Sequence, residues 1–247
     1  MKYVALAFSI TIIALLGIYG CGDKSTGPSD NFRDLILNLN NMTSNVGQEI
    51  TIQAVSADSV VKSEAIIHVL RSANETIKIP NIIDDSTYHI DMYADVDDDG
   101  LYSSSADESW RIAVPASGIV NFTRSADFVN IDDSTSAFPG NGFTMNFFNF
   151  GGLVGKTMEL RVIDAINGHT AGAYRLDKIP GSVFTIYIPG IIMNGTGYQI
   201  DFYIDMNVNN SYDPPPEDQA WRLGTSGTST GININFSHNT NYKDIGF

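Results

Sequence analysis

Three aspartates occupy alternate positions in the stretch "DVDDDG", Asp95, Asp97 and Asp99, with Gly100 directly after them. Carboxylates set side by side repel one another, so such a run gains from anything that cancels its charge. A hard divalent cation does so: it takes six to eight oxygens at about 2.4 Å, and alternate residues on a tightly curled loop can turn their oxygens inward together. The chain presents the arrangement a second time, as Asp205, Asn207 and Asn209 followed by Asn210. Asparagine keeps the oxygen and gives up the charge, and in place of glycine it tolerates left-handed backbone. Turn chemistry is the alternative, since Asp and Asn accept backbone hydrogen bonds in ordinary loops. It does not require oxygen at the same three places twice.

The pattern D-x-[DN]-x-[DN]-G resembles the start of the calcium loops of EF-hands and dockerin modules. That resemblance implies one calcium ion per repeat, with Asp95, Asp97 and Asp99 as ligands in the first loop and Asp205, Asn207 and Asn209 in the second. It also implies backbone carbonyls at the seventh position, from Leu101 and Ser211. Downstream the likeness fails, because the twelfth position is Ala106 in one loop and Pro216 in the other. Asp107 and Asp218 align with each other and are the expected closing carboxylates, with Glu108, Asp213 and Glu217 as further oxygens. The first loop carries more ligand charge and is expected to bind more tightly. Calcium is expected over magnesium, because a long irregular loop supplies many protein oxygens with slack.

The elements that must hold these loops read as strands. Apolar and polar residues alternate in "LILNLN" (35 to 40), "EITIQAV" (49 to 55), "AIIHVL" (65 to 70), "TIKIP" (76 to 80), "YHIDMYAD" (88 to 95), "WRIAV" (110 to 114) and "IVNFT" (119 to 123). A period of two with Ser, Asn, Asp and Gly between the runs predicts an all-β sandwich. The chain then says the same thing again. "NVGQEITIQAV" (45 to 55) matches "LVGKTMELRVI" (153 to 163), and "DESWR" (107 to 111) matches "DQAWR" (218 to 222). "NFTRSADFVNI" (121 to 131) likewise matches "NFSHNTNYKDI" (235 to 245), and Tyr-x-Ile-Asp-x-Tyr-x-Asp occurs in both halves. The expectation is therefore two tandem Ig-like or transthyretin-like antiparallel β-sandwich domains, 33–131 and 142–247, joined by a linker at 132–141. The tryptophans, Trp110 and Trp221, are one position seen twice and are expected in the core. Arg111 and Arg222 follow them and are expected to pair with surplus loop carboxylates or to face solvent.

Residues 1–20 have a Lys2 n-region and an apolar run ending in small residues, which predicts a secretory signal. The run stops at "IYGC", which resembles the lipobox of bacterial lipoproteins and implies acylation of Cys21, palmitate included, with residues 21–32 as a flexible tether. Cys21 is the chain's single cysteine, so the mature protein has no internal disulfide and relies on core burial or metal for stability. A net charge of −14 argues against nucleic acid as a partner. No nucleophile elbow, zinc-protease motif, P-loop or dinucleotide fingerprint occurs, and His68, His89, His169 and His238 are scattered. These features together predict a non-enzymatic, calcium-stabilised binding, adhesion or assembly module. It is tethered to the membrane of the cell envelope, and Gly22 resembles outer-membrane sorting. Its partner would be an envelope protein or a glycan. The alternative is a carbohydrate-binding accessory lipoprotein using Tyr102 and Tyr212 as sugar platforms; a third reading is a secreted hydrolase using the acidic residues, although Asp91 and Asp201, which could pair for glycoside hydrolysis, are expected in a structural or supporting role because each sits in a separate repeat.

Overall fold

A computed structural model describes residues 31–131 and 140–247, so the leader, Cys21, most of the tether and most of the linker lie outside the described residues. The chain is all-β. The first half of the sequence forms β1 (Arg33–Asn40), β2 (Glu49–Ser56), β3 (Val61–Ile67), β4 (Glu75–Ile83), β5 (Thr87–Asp95), β6 (Glu108–Ala113) and β7 (Ile119–Thr123). The second half forms β8 (Asn141–Phe148), β9 (Thr157–Asp164), β10 (Thr170–Leu176), β11 (Phe184–Ile192), β12 (Gly197–Asp205), β13 (Gln219–Ser226) and β14 (Ile232–Ser237). No helix among the described residues is long and apolar enough to cross a membrane.

Alternation decides which face of each strand is buried, because successive side chains point to opposite sides of a sheet. Leu35, Leu37 and Leu39 of β1 face Ile50, Ile52 and Ala54 of β2 across one core, which Trp110 and Val120 complete. Phe143, Met145 and Phe147 of β8 take the same role in a second core with Met158, Leu160, Val162 and Trp221. Both tryptophans are buried as expected.

Three sheets carry these faces: β4-β1-β7, β11-β8-β14, and one of eight strands in the order β13-β12-β9-β10-β3-β2-β5-β6. Most pairings are antiparallel as expected, but β1–β7, β8–β14 and β3–β10 are parallel. In the first two, the chain leaves the long sheet after β6 or β13 and crosses to the free edge of β1 or β8, a connection that a parallel partner requires.

The third parallel pair runs one sheet through both halves. Glu64 to Ile67 of β3 lie beside Gly172 to Arg175 of β10 in matched register. Alternation then shares the strands between the cores: Ala65 and Ile67 belong to the first, while Ile66 of the same strand belongs to the second. Ala173 of β10 reciprocates by packing on the first core. Gly172 fits where a Cβ would stand 2.3 Å from Cδ1 of Ile191. The first core thus lies on one side of the shared sheet and the second on the other, and each half's outer sheet face is turned toward its partner.

Candidate metal centre

Each acidic loop leaves the end of a strand and returns at the start of the next, so β5 and β6 fix the first and β12 and β13 fix the second. The loops share backbone as well as sequence. Asp98 and Gly100 have φ of 60° and 75°, and Val208 and Asn210 at the matching places have 61°. Left-handed backbone at a β-branched valine is strained, by on the order of 1–3 kcal/mol. The carboxylate of Asp205, which accepts the Val208 N–H at 2.6 Å, helps to hold it there.

The strand-end aspartates organise the loops through backbone donors. Asp95 is buried and accepts the N–H groups of Asp99 at 3.3 Å and Gly100 at 2.8 Å. Asp205 accepts Val208, Asn209 and Asn210 in the same way. The far aspartates close the loops: Asp107 accepts Val96 at 2.8 Å and Ser103 at 2.7 Å, and Asp218 accepts Met206 and Asp213, both at 2.9 Å. Asp107 and Asp218 therefore clip backbone with both oxygens, a duty the sequence does not announce.

In the first loop Asp95, Asp97 and Asp99 converge, each with a carboxylate oxygen within 4.8 Å of the others. Asp97 and Asp99 are exposed, and Asp99 also accepts the Leu101 N–H at 2.8 Å. The Asp97 carboxyl is held above its ordinary value, by desolvation first and then by the charges of Asp99, Asp107 and Asp95. Three hard oxygens with unneutralised charge are a donor set suited to calcium. Leu101 turns its side chain to solvent on the rim of this loop.

The second loop is arranged otherwise. The side-chain amides of Asn207 and Asn209 donate to one oxygen of Asp213, at 2.8 and 2.6 Å. Their own oxygens accept the N–H groups of Asn209 and Ser211. Lys156 donates to the Met206 carbonyl at 2.8 Å, where the first repeat has Gln48. Arg71, from the other half of the molecule, donates to Asn210 Oδ1 at 2.6 Å. Asp205 ends β12, and Asn207, Asn209, Ser211 and Asp218 follow it, yet amide nitrogens, not free oxygens, meet the Asp213 carboxylate. Asp213 was the readable signal, since Ser103 stands at its place in the first repeat.

Arg111 and Arg222 bind strand aspartates, not loop ones. Cross-strand register sets Asp91 opposite Arg111 and Asp201 opposite Arg222. Each pair is bidentate, with distances of 2.7 and 2.8 Å in the first and 2.7 Å twice in the second. Both carboxylates are buried, and such a hydrogen-bonded pair holds each arginine's pKa above its usual value.

Tyr102 and Tyr212 are half-buried with their hydroxyls engaged. Tyr102 bonds Ser109 at 3.0 Å and accepts the Ile131 N–H, and Tyr212 donates to Asp244 at 2.9 Å and accepts the Ile245 N–H. Each ties down the segment that ends its repeat through its hydroxyl. The histidines sit in structural contacts: His169 bridges Ser63 and the Ile82 carbonyl, His238 meets Gln219, His68 meets Glu49 and His89 lies 3.4 Å from Asp91.

No protein family, curated protein or solved structure matches this chain.

Proposed function

We propose that this chain is a non-enzymatic lipoprotein of the cell envelope, anchored through Cys21, whose first acidic loop takes up calcium and stiffens a β-sandwich module. The module binds an envelope protein or a glycan. The convergence of Asp95, Asp97 and Asp99 carries this reading. An ion that binds only the folded loop stabilises it by mass action. A non-enzymatic role is supported by Asp91 and Asp201, which are engaged in arginine pairs in separate halves instead of sharing a cleft.

Calorimetric titration of calcium into chelator-treated protein tests the loop. The parent should show one saturating event that disappears in an Asp97→Asn, Asp99→Asn double variant. That variant should fold, because both side chains are exposed while Asp95 and Asp107 keep their backbone bonds. Equal heats from parent and variant would leave the aspartates as turn residues. Incorporation of labelled palmitate, lost in Cys21→Ser, tests the anchor independently.

A further inference from the structure

A cavity of about 390 Å³ lies between the halves, where β4 of the first faces the outer side of β9, β10 and β12 of the second. That volume is in the range of small-molecule sites. Glu159 and Arg161, Ile77 and Ile79, and a cluster of Tyr203, Tyr212 and Phe247 are among the residues that line it. Tyr203 packs against Phe247 at 4.7 Å and Tyr212 at 5.3 Å.

Arg161 is the unusual one of the two buried arginines, the other being Arg175. Arg71, Arg111, Arg124, Arg175 and Arg222 each hold a carboxylate oxygen within 2.7 Å. Arg161 is only 5% exposed, yet its nearest carboxylate is Asp201 at 3.8 Å, already taken bidentately by Arg222. Its Nε has no hydrogen-bond partner, while its guanidinium makes a 3.5 Å bond to the Gly246 carbonyl, lies 3.9 Å over the Phe247 ring and feels the charge of Glu159. Burial accordingly lowers its pKa. A buried cation is ordinarily paired, because taking a lone charge out of water is strongly unfavourable.

The first half shows what is missing. There β2–β3 register sets Gln53 opposite Glu64, and the two side chains bond at 2.9 Å. In the second half, β9–β10 register sets Arg161 opposite Ala173. With alanine at the partner position, Arg161 has no carboxylate opposite it across the β9–β10 pair and is left with the long 3.8 Å contact to Asp201. Arg71 and Arg175 do not compete for an anion there, since Asp177 and Glu75 occupy them.

We propose that this cavity binds a small carboxylate-bearing molecule, its anion over Ala173 and against Arg161, its body among the Tyr203, Tyr212 and Phe247 rings. Glu159, two residues from Arg161 on the same strand face, then meets a hydroxyl or an ammonium of the ligand. A sugar acid offers the first and an amino acid the second. The proposal is independent of the calcium loop.

Calorimetry on the full chain with glucuronate, phenylalanine, acetate and glucose tests it. At least one of glucuronate and phenylalanine should bind, acetate more weakly, and glucose not measurably. Arg161→Gln should weaken the binding about tenfold or more, the usual scale for losing a charge-assisted bond. Ala173→Glu supplies the carboxylate from within, and should raise the melting temperature while abolishing binding. A stabilised Ala173→Glu protein also shows that the loss of binding is not a loss of fold. Glucose binding as tightly as glucuronate, no carboxylate binding at all, or an Ala173→Glu variant that is destabilised or still binds would each overturn the proposal.

Discussion

In the first acidic loop the negative charge sits on Asp97 and Asp99; in the second it has moved to Asp213, and the amides of Asn207 and Asn209 face it. The two loops thus solve one electrostatic problem by different means. The second neutralises itself, with Lys156 at its base and Arg71 reaching in from the other half. The first keeps three carboxylates together. The same divergence recurs on the sheet, where Glu64 fills its space in the first half and Ala173 opens a cavity in the second. A duplicated backbone can therefore carry two chemistries when a few side chains move charge by a residue or two.

The largest expected effect comes from the aspartates that the halves have in common. Asp201 serves Arg222 and lies near Arg161, whereas Asp91 serves Arg111 with His89 beside it. Asp201→Asn should cost about 3 kcal/mol in urea denaturation, the lower end for breaking a buried pair, and Asp91→Asn less. Equal losses would show that the halves do not differ here.

Next, taken per pH unit, is the response of Glu64, whose buried carboxyl is pushed up to about 8 from an ordinary 4.5. Between those values the unfolded chain gives up the proton that the native state retains, so stability falls as pH rises through the window and levels off above it. Glu64→Gln should flatten that slope, which is at most about 1.4 kcal/mol per pH unit, and the variant should be the more stable at pH 8. An unchanged slope in denaturation curves at pH 5 to 8 would place the titration elsewhere.

The smallest effect is also the most direct contrast. Rewriting the second loop as Asn207→Asp, Asn209→Asp and Asp213→Ser should create a second calcium event in calorimetry and lower the melting temperature in chelator. Stabilisation by calcium at a hundredfold excess over the dissociation constant would be about 2.7 kcal/mol. Failure to gain an event would mean that Lys156 or Arg71 continues to occupy the loop.

Much of this was legible in the chain. Period-two alternation in "LILNLN" and "EITIQAV" is a local signal, and the strands follow it because burying one face of each needs nothing beyond the next residue. The repeated spacing of Asp or Asn at alternate positions identified the loops, and Ser103 against Asp213 could have separated them. Arg111 and Arg222 could not be assigned from adjacency, since their partners are set by cross-strand register 20 and 21 residues away.

By itself, then, the sequence determined the strands, the duplication and the acidic loops, because each depends on neighbours in the chain. The tertiary structure alone decided that β3 and β10 pair in parallel and run one sheet through both halves. Edge strands carry no local mark of the partner they will take. That pairing turns the outer face of β9, β10 and β12 toward β4, and so places Arg161, Ala173 and the aromatic rings around one cavity.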